Sequence, residues 1–271
     1  MNFQEGLRGE VDVSSALSKM KIVRHVEPGH AIQQIIDPYK QGLEKFKKEV
    51  IGKVAITMPF TRIPAPFASG TTPNGSFAAQ AVVDAFLSYL PKAQVGIQNA
   101  GGVRGPFNEG EFTTGDAYTI LPFSNTVVTV DMKGSDIVQV LEEALSYSQG
   151  VSGSTGAFPY ASHLRYDVVL GAPLGQGIKN VEVKDRKSGN WSPIDLQKTY
   201  AVATNVFTAQ GKDGYLSFAR VRAANPAAYQ ASDVAYVIPI IEYFRKYLPG
   251  NILPPLNPAE YCIKSVTNYG P

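Results

Sequence analysis

From residue 31 to residue 248, helix-periodic apolar stripes alternate with short apolar runs that stop at Gly, Pro or Asn. That alternation restricts the chain to a mixed helix-and-strand architecture. Ile32, Ile35, Ile36, Tyr39, Leu43, Phe46 and Val50 recur at spacings of three and four and fall on one helix face. Pro38 and Gly42 interrupt the stripe, which predicts a kink or break near Pro38, and Gly52 reads as the stop. A Pro-, Gly- and Thr-rich stretch over 59–75 reads as a long loop. Residues 76–90 are again helix-like, with Phe77, Ala81, Ala85 and Tyr89 near one side. Residues 95–98 form a short strand that runs into the turn-prone Asn99-Ala100-Gly101-Gly102.

Further along, 126–132 reads as a strand and Gly134-Ser135 as a helix start, with Ile137, Val140, Leu141, Ala144 and Leu145 as its core stripe. A Gly/Ser loop over 150–156 leads to strand-like runs at 163–170, 178–184 and 200–204. Asp233 is expected to cap a last helix over 234–248, with Pro239 as a defect or bend. The expectation is an α/β (α+β) fold: a single mixed-sheet domain of about 200 residues, preceded by a helix. We place the lead-in and linker helix at 1–52 and the main domain at 53–271.

The 271 residues are 44% hydrophobic and 18% charged, with a formal net charge of +2. This is an ordinary globular balance, and +2 is too small a field to argue for a nucleic-acid partner. Lys40, Lys45, Lys47, Lys48 and Lys53 make a modest basic cluster, read as the solvated face of a helix. Cys262 is the single cysteine, so no intrachain disulfide is available. No stretch approaches the roughly 18 apolar residues of a membrane span. The first residues carry no apolar core of signal-peptide type, so any export signal is expected outside this chain.

A self-sufficient active site is poorly supported. The three histidines are His25, His30 and His163, and no HExxH, CxxC or paired DxH element occurs, so no protein-built metal centre is expected. No GxSxG elbow is present. The glycines at 150, 153 and 156 match neither the P-loop nor the dinucleotide spacing, and read as a flexible loop. Three segments remain that combine turn residues with polar and aromatic groups. The first is residues 99–104, where glycines permit positive φ and close backbone approach, and Asn99 and Arg104 offer planar polar groups. The second is 121–125, where Phe123 is either a core anchor or an exposed stacking surface; the burial habits of phenylalanine favour the core. The third is 204–214, a strand running into a polar turn that carries Phe207 and Asp213. Arg62 stands apart in a loop.

In this order and spacing the segments resemble the C-terminal domain of the 5′-nucleotidase/UDP-sugar hydrolase family. The resemblance runs from about residue 39 to about residue 248. It rests on NAGGVR at 99–104, TILPFSN at 119–125, KGSDIVQVLE at 133–142 and GKDG at 211–214. The run STGAFPYA at 154–161 is similar to the bacterial NAD nucleotidase branch in particular. The resemblance implies that Phe123 and Phe207 clamp a nucleobase and that Asn99 and Asn125 hydrogen-bond the base or ribose region. It implies that Asp213 accepts from ribose hydroxyls and that Arg104 and Arg62 meet the phosphate. Lys212 stands where many members have glycine. The resemblance further implies hydrolysis by an N-terminal metallophosphatase domain with two divalent metals, whose DxH, GNHD/E and GHxH hallmarks do not occur in these residues. Candidate substrates are nucleoside monophosphates, UDP-sugars or NAD, and the implied location is periplasmic or secreted. The helix before Gly52 would be the interdomain linker. The alternative is a stand-alone, non-catalytic nucleotide-binding protein; a single-stranded RNA binder would need a basic groove that +2 does not suggest.

Overall fold

The computed structural model describes residues 30–68, 75 and 77–270, together with the strand residues 4–5 and 11–12. His25 and most of the 69–76 stretch lie outside the described residues. The elements in chain order are β1 (Gln4–Glu5), β2 (Val11–Asp12), α1 (His30–Lys47), β3 (Val50–Val54), α2 (Phe77–Tyr89), β4 (Val95–Asn99), β5 (Gly110–Thr113), α3 (Thr114–Ile120), β6 (Thr126–Lys133) and α4 (Gly134–Gln149). They continue with β7 (Pro159–Ser162), β8 (Leu164–Leu170), β9 (Ile178–Lys184), β10 (Trp191–Pro193), β11 (Thr199–Asn205), α5 (Val206–Ala209), α6 (Leu216–Ala224), β12 (Tyr229–Ala235), α7 (Val237–Glu242), β13 (Ile252–Leu253) and β14 (Ile263–Asn268).

The chain divides into a small unit, 1–44, and a large one, 45–271. In the small unit β1 pairs antiparallel with β2, and Ile32, Ile35, Tyr39 and Leu43 of α1 are exposed. The large unit has three sheets, in the orders β12-β6-β11-β4-β7, β10-β9-β8-β14 and β13-β3-β5. Each contains one parallel pair among antiparallel ones: β11 with β4, β14 with β8, and β13 with β3. This is the mixed α/β fold expected from the alternating pattern.

Strand β4 is buried along its whole length. It is flanked by β11 and β7 and covered by α2, whose residues Ala78–Val83 and Ala85–Leu87 are buried as well. Gly96 makes this contact possible, since a Cβ there would stand 2.3 Å from Val83 Cγ1. Helix α4 buries the expected stripe of Ile137, Val140, Leu141, Ala144 and Leu145.

Several local expectations are corrected. Helix α1 runs through Pro38 without a break, because one lost N–H leaves the remaining helical bonds able to form. It ends at Lys47, and Gly52 lies inside β3, where a Cβ would meet Asn251 O and Phe244 Cδ1, each at 2.4 Å. Gly134-Ser135 does open a helix, but no side chain caps it; the two amides donate to the carbonyls of Lys198 and Leu196 instead. Asp233 is not a helix cap. It takes φ 56° within β12, at an irregularity of that strand's register, in the left-handed region that Asp tolerates. The last helix starts at Val237, which puts Pro239 in its first turn, where an absent N–H costs nothing. A π-helical turn over Tyr243–Tyr247 follows.

Candidate functional site

Three loops close around a cleft of about 320 Å³ at the C-terminal ends of β4 and β11. All seven residues singled out from the sequence line it: Arg62, Asn99, Arg104, Phe123, Asn125, Phe207 and Asp213.

The first loop leaves β4 at Asn99 as a short 3₁₀ turn, Ala100–Gly102. Its glycines supply space rather than left-handed backbone, since neither Gly101 nor Gly102 has a positive φ. A Cβ on Gly102 would lie 2.1 Å from Gln98 Nε2, and one on Gly101 would lie 3.0 Å from the Cα of Gly156. Gly156 meets Gly101 reciprocally, so the 150–156 segment is a wall of the cleft, with Ser154 and Gly156 in its lining. The sequence reading of that segment as merely a flexible loop missed this contact. A cue was present: only two glycines let backbones approach this closely.

The second loop carries Phe123, which is 46% exposed. The core anchor favoured by burial habit is therefore not its place. The Arg104 guanidinium carbon stands 5.7 Å from the centroid of its ring. Tyr236, buried at the start of α7, ties this loop to the first. Its hydroxyl accepts from the Phe123 N–H at 3.2 Å and donates to Gly102 O at 3.1 Å. Its own N–H donates to Asn125 O at 2.9 Å. Burial pushes the Tyr236 phenol up to about 12, so it stays a donor through the neutral range.

The third loop begins where β11 passes into α5. Asn205 caps that helix by accepting from Thr208 N. Its amide nitrogen donates to Gln98 Oε1 at 3.0 Å and to Asn99 Oδ1 at 3.1 Å. Gln98 Nε2 also donates to Asn99 Oδ1, and Asn99 Nδ2 donates to Asp213 Oδ2 at 3.1 Å. This buried relay engages both ends of the Asn99 amide within the protein and holds one oxygen of the Asp213 carboxylate. Asp213 itself has φ 53°, between Gly211 at 81° and Gly214 at 79°. Lys212 therefore needs no glycine in its place: the left-handed positions of the turn belong to its neighbours. Phe207, on α5, is 36% exposed at the cleft. Arg62 reaches it from the irregular segment after β3 and donates to Thr155 Oγ1 at 3.3 Å.

Sequence reasoning passed over Tyr236, Asn205 and Gln98, which organise the cleft. Asn205 had a usable cue as a helix-capping residue just before Phe207. Tyr236 had none, because its role depends on contacts more than a hundred positions away. Among the described residues no group of three His, Cys, Asp or Glu side chains could hold a metal ion. The arrangement can accept a planar ring, an anion and hydroxyl donors.

The family model described as "5′-nucleotidase, C-terminal domain" matches residues 50–220. The chain is 36% identical over 238 residues to the NAD 5′-nucleotidase of Haemophilus influenzae, covering 86% of this chain and 38% of that protein. It is 34% identical over 232 residues to a probable 5′-nucleotidase of Treponema pallidum, covering 78% of this chain and 38% of that protein. Among solved structures it is similar to the Haemophilus influenzae NAD nucleotidase, with a TM-score of 0.74 and 30% identity over 99% of this chain and 48% of that one. A 5′-nucleotidase precursor from Thermus thermophilus superimposes with a TM-score of 0.64 at 26% identity, covering 82% of this chain and 42% of that one. The chain thus spans about two fifths of the length of these curated relatives. By the matched family model, by identity and by fold, it belongs to the 5′-nucleotidase family as that family's C-terminal domain.

Proposed function

We propose that this domain grips the nucleotide for a 5′-nucleotidase. The base stacks between Phe123 and Phe207, Asp213 accepts from the ribose hydroxyls, and Arg104 and Arg62 meet the phosphate, where planar cationic forks suit phosphate oxygens. Asn125 offers its amide to the base or ribose region, and Asn99 acts mainly by aiming Asp213. The observation that carries this reading is the convergence of two exposed phenylalanines, two arginines and a carboxylate in one cleft.

In the same reading, ester hydrolysis belongs to a metallophosphatase domain with two divalent ions, for which the described residues of this chain offer no donor set. Nucleoside monophosphates, UDP-sugars and NAD all suit a base clamp, and the resemblance to NAD nucleotidases favours NAD among them. The interdomain-linker role of α1, within a lead-in over 1–52, belongs to this proposal too and draws on its exposed apolar residues. A periplasmic or secreted location completes it. Among the described residues no helix is long and apolar enough to cross a membrane.

The test is calorimetric titration of the chain with AMP, adenosine and NAD up to millimolar concentration. Base stacking on an aromatic side chain contributes about 1–3 kcal/mol. Phe123→Ala and Phe207→Ala should therefore each weaken binding roughly 5- to 150-fold. Absence of binding by the wild type, or wild-type affinity in both variants, sinks the clamp.

A further inference from the structure

A second concavity lies at the opposite ends of the strands that carry the nucleotide cleft. β4 and β11 run parallel, with Val202 opposite Val95 and Ala203 opposite Gly96. Asn99, the last residue of β4, lines the cleft, and Asn205, the last residue of β11, is hydrogen-bonded to Asn99. At their beginnings, Gln94 and Tyr200 border a separate cavity of about 380 Å³. Five strand residues at about 3.3 Å each put roughly 16 Å between the two.

The second cavity is lined by Lys92, Lys184, Arg186, Lys187 and Lys198, with Asp185 as its one lining carboxylate. For a chain of net charge +2 this is a marked concentration of cations. Their engagements differ. Lys184 is paired with Glu260 at 2.7 Å. Arg186 closes the C-terminal end of α2, donating to Ala93 O at 2.6 Å and Leu87 O at 3.1 Å. Asp185 accepts from the backbone N–H groups of Lys187 and Ser188 on one carboxylate oxygen, Oδ1, within its own turn, and the charge of Lys198 acts on it as well. Lys198 stands with its ammonium 5.1 Å from the Tyr200 ring centroid. The side chains of Lys92 and Lys187 make no hydrogen bond or ion pair among the described residues, and both are exposed.

The positive field is felt nearby. His163, whose carbonyl accepts from Lys184 N, has its imidazole lowered to about 4, first by burial and then by Arg186 and Lys184. Ammonium groups act on anions as point charges, so three of them around one concavity favour several negative charges held close together over a single one.

We propose that this cavity is a second anion site, in which Lys92, Lys187 and Lys198 bind a compact phosphate-class polyanion such as inorganic triphosphate. Its occupant can be bound while a nucleotide fills the cleft, because the two share no lining residue.

Calorimetric titration of the chain with inorganic triphosphate tests this, at low and at physiological salt, with and without saturating AMP. Binding should be saturable at low salt, weaken at least about fivefold at physiological salt, and persist with AMP present. The combined Lys92→Gln, Lys187→Gln, Lys198→Gln variant should lose at least about tenfold in triphosphate affinity and keep its Tm, these three side chains being exposed. Arg104→Ala should leave triphosphate binding unchanged. No binding at low salt, full binding by the lysine variant, or binding abolished by AMP or by Arg104→Ala would each overturn the proposal. The last two outcomes would place triphosphate in the nucleotide cleft. A failure of AMP to bind leaves the triphosphate arms intact, so this proposal and the clamp fail separately.

Discussion

Replacing Tyr236 by Phe removes one oxygen and keeps the ring in its buried seat. That oxygen serves two loops at once, accepting from Phe123 N–H at 3.2 Å and donating to Gly102 O at 3.1 Å. Each hydrogen bond contributes about 0.5–1.5 kcal/mol net, and a buried group left unpaired costs about 1–3 kcal/mol. Gly102 is buried, so its carbonyl bears most of the loss, whereas the exposed Phe123 segment can turn its amide toward water. The sum comes to about 2 kcal/mol. At roughly 2–4 °C per kcal/mol for a domain of this size, Tm should fall by roughly 4–8 °C. AMP affinity should fall as well, because the lost oxygen is what holds Phe123 against the glycine turn. Differential scanning calorimetry reads the first quantity and titration at a temperature well below Tm reads the second. An unchanged Tm would refute the hydrogen-bond account. A lowered Tm with unchanged affinity would show that the hydroxyl stabilises the fold without positioning the clamp.

Two further outcomes follow from packing and charge. Gly96→Ala places a methyl 2.3 Å from Val83 Cγ1 and should cost about 1–3 kcal/mol through overpacking of α2 on β4; a urea midpoint equal to that of wild type would show that α2 has room to move. Asp84, which accepts a hydrogen bond from Ser162, is raised to about 6, chiefly by burial. The folded state therefore holds this proton more tightly than the unfolded chain, and ionisation of Asp84 takes away stability as pH rises from about 4 to about 6. Two pKa units correspond to at most about 2.7 kcal/mol. Asp84→Asn should match wild type near pH 4 and be more stable by that amount at pH 7. Equal stability of the two proteins at pH 7 would show that the carboxylate is solvated.

Helices α2 and α4 were legible because their apolar periodicity is local; α4 buries its whole indicated stripe, whereas of the α2 residues indicated Ala81 and Ala85 are buried and Phe77 and Tyr89 only partly so. Strands β4, β6, β8, β9 and β11 were legible for the same reason. β7, β10, β13 and β14 were not, since a short strand without clear alternation is defined by its neighbour across the ladder rather than by its own residues. Asp233 shows the limit of local cues. Asp before an apolar run signals a helix cap, but β12 pairs with β6 on both sides of Asp233, which sits in the irregularity between the paired Ala231 and Ala235.

The candidate site divides along the same line. Turn chemistry marked the loops that carry Asn99, Arg104, Phe123, Asn125, Phe207 and Asp213, and the family resemblance of those contiguous motifs, with the isolated Arg62, implied which residues belong to the site. Whether a phenylalanine faces solvent or core is not a local property, and neither is the partner of an asparagine amide. The tertiary structure decided that Phe123 and Phe207 are exposed at one cleft. It also decided that Asn99 turns inward to Asp213, and that Tyr236 joins two loops over a hundred residues away. Contacts of that separation exist only after the chain has closed its long loops and paired β4 with β11, so no window of sequence contains them.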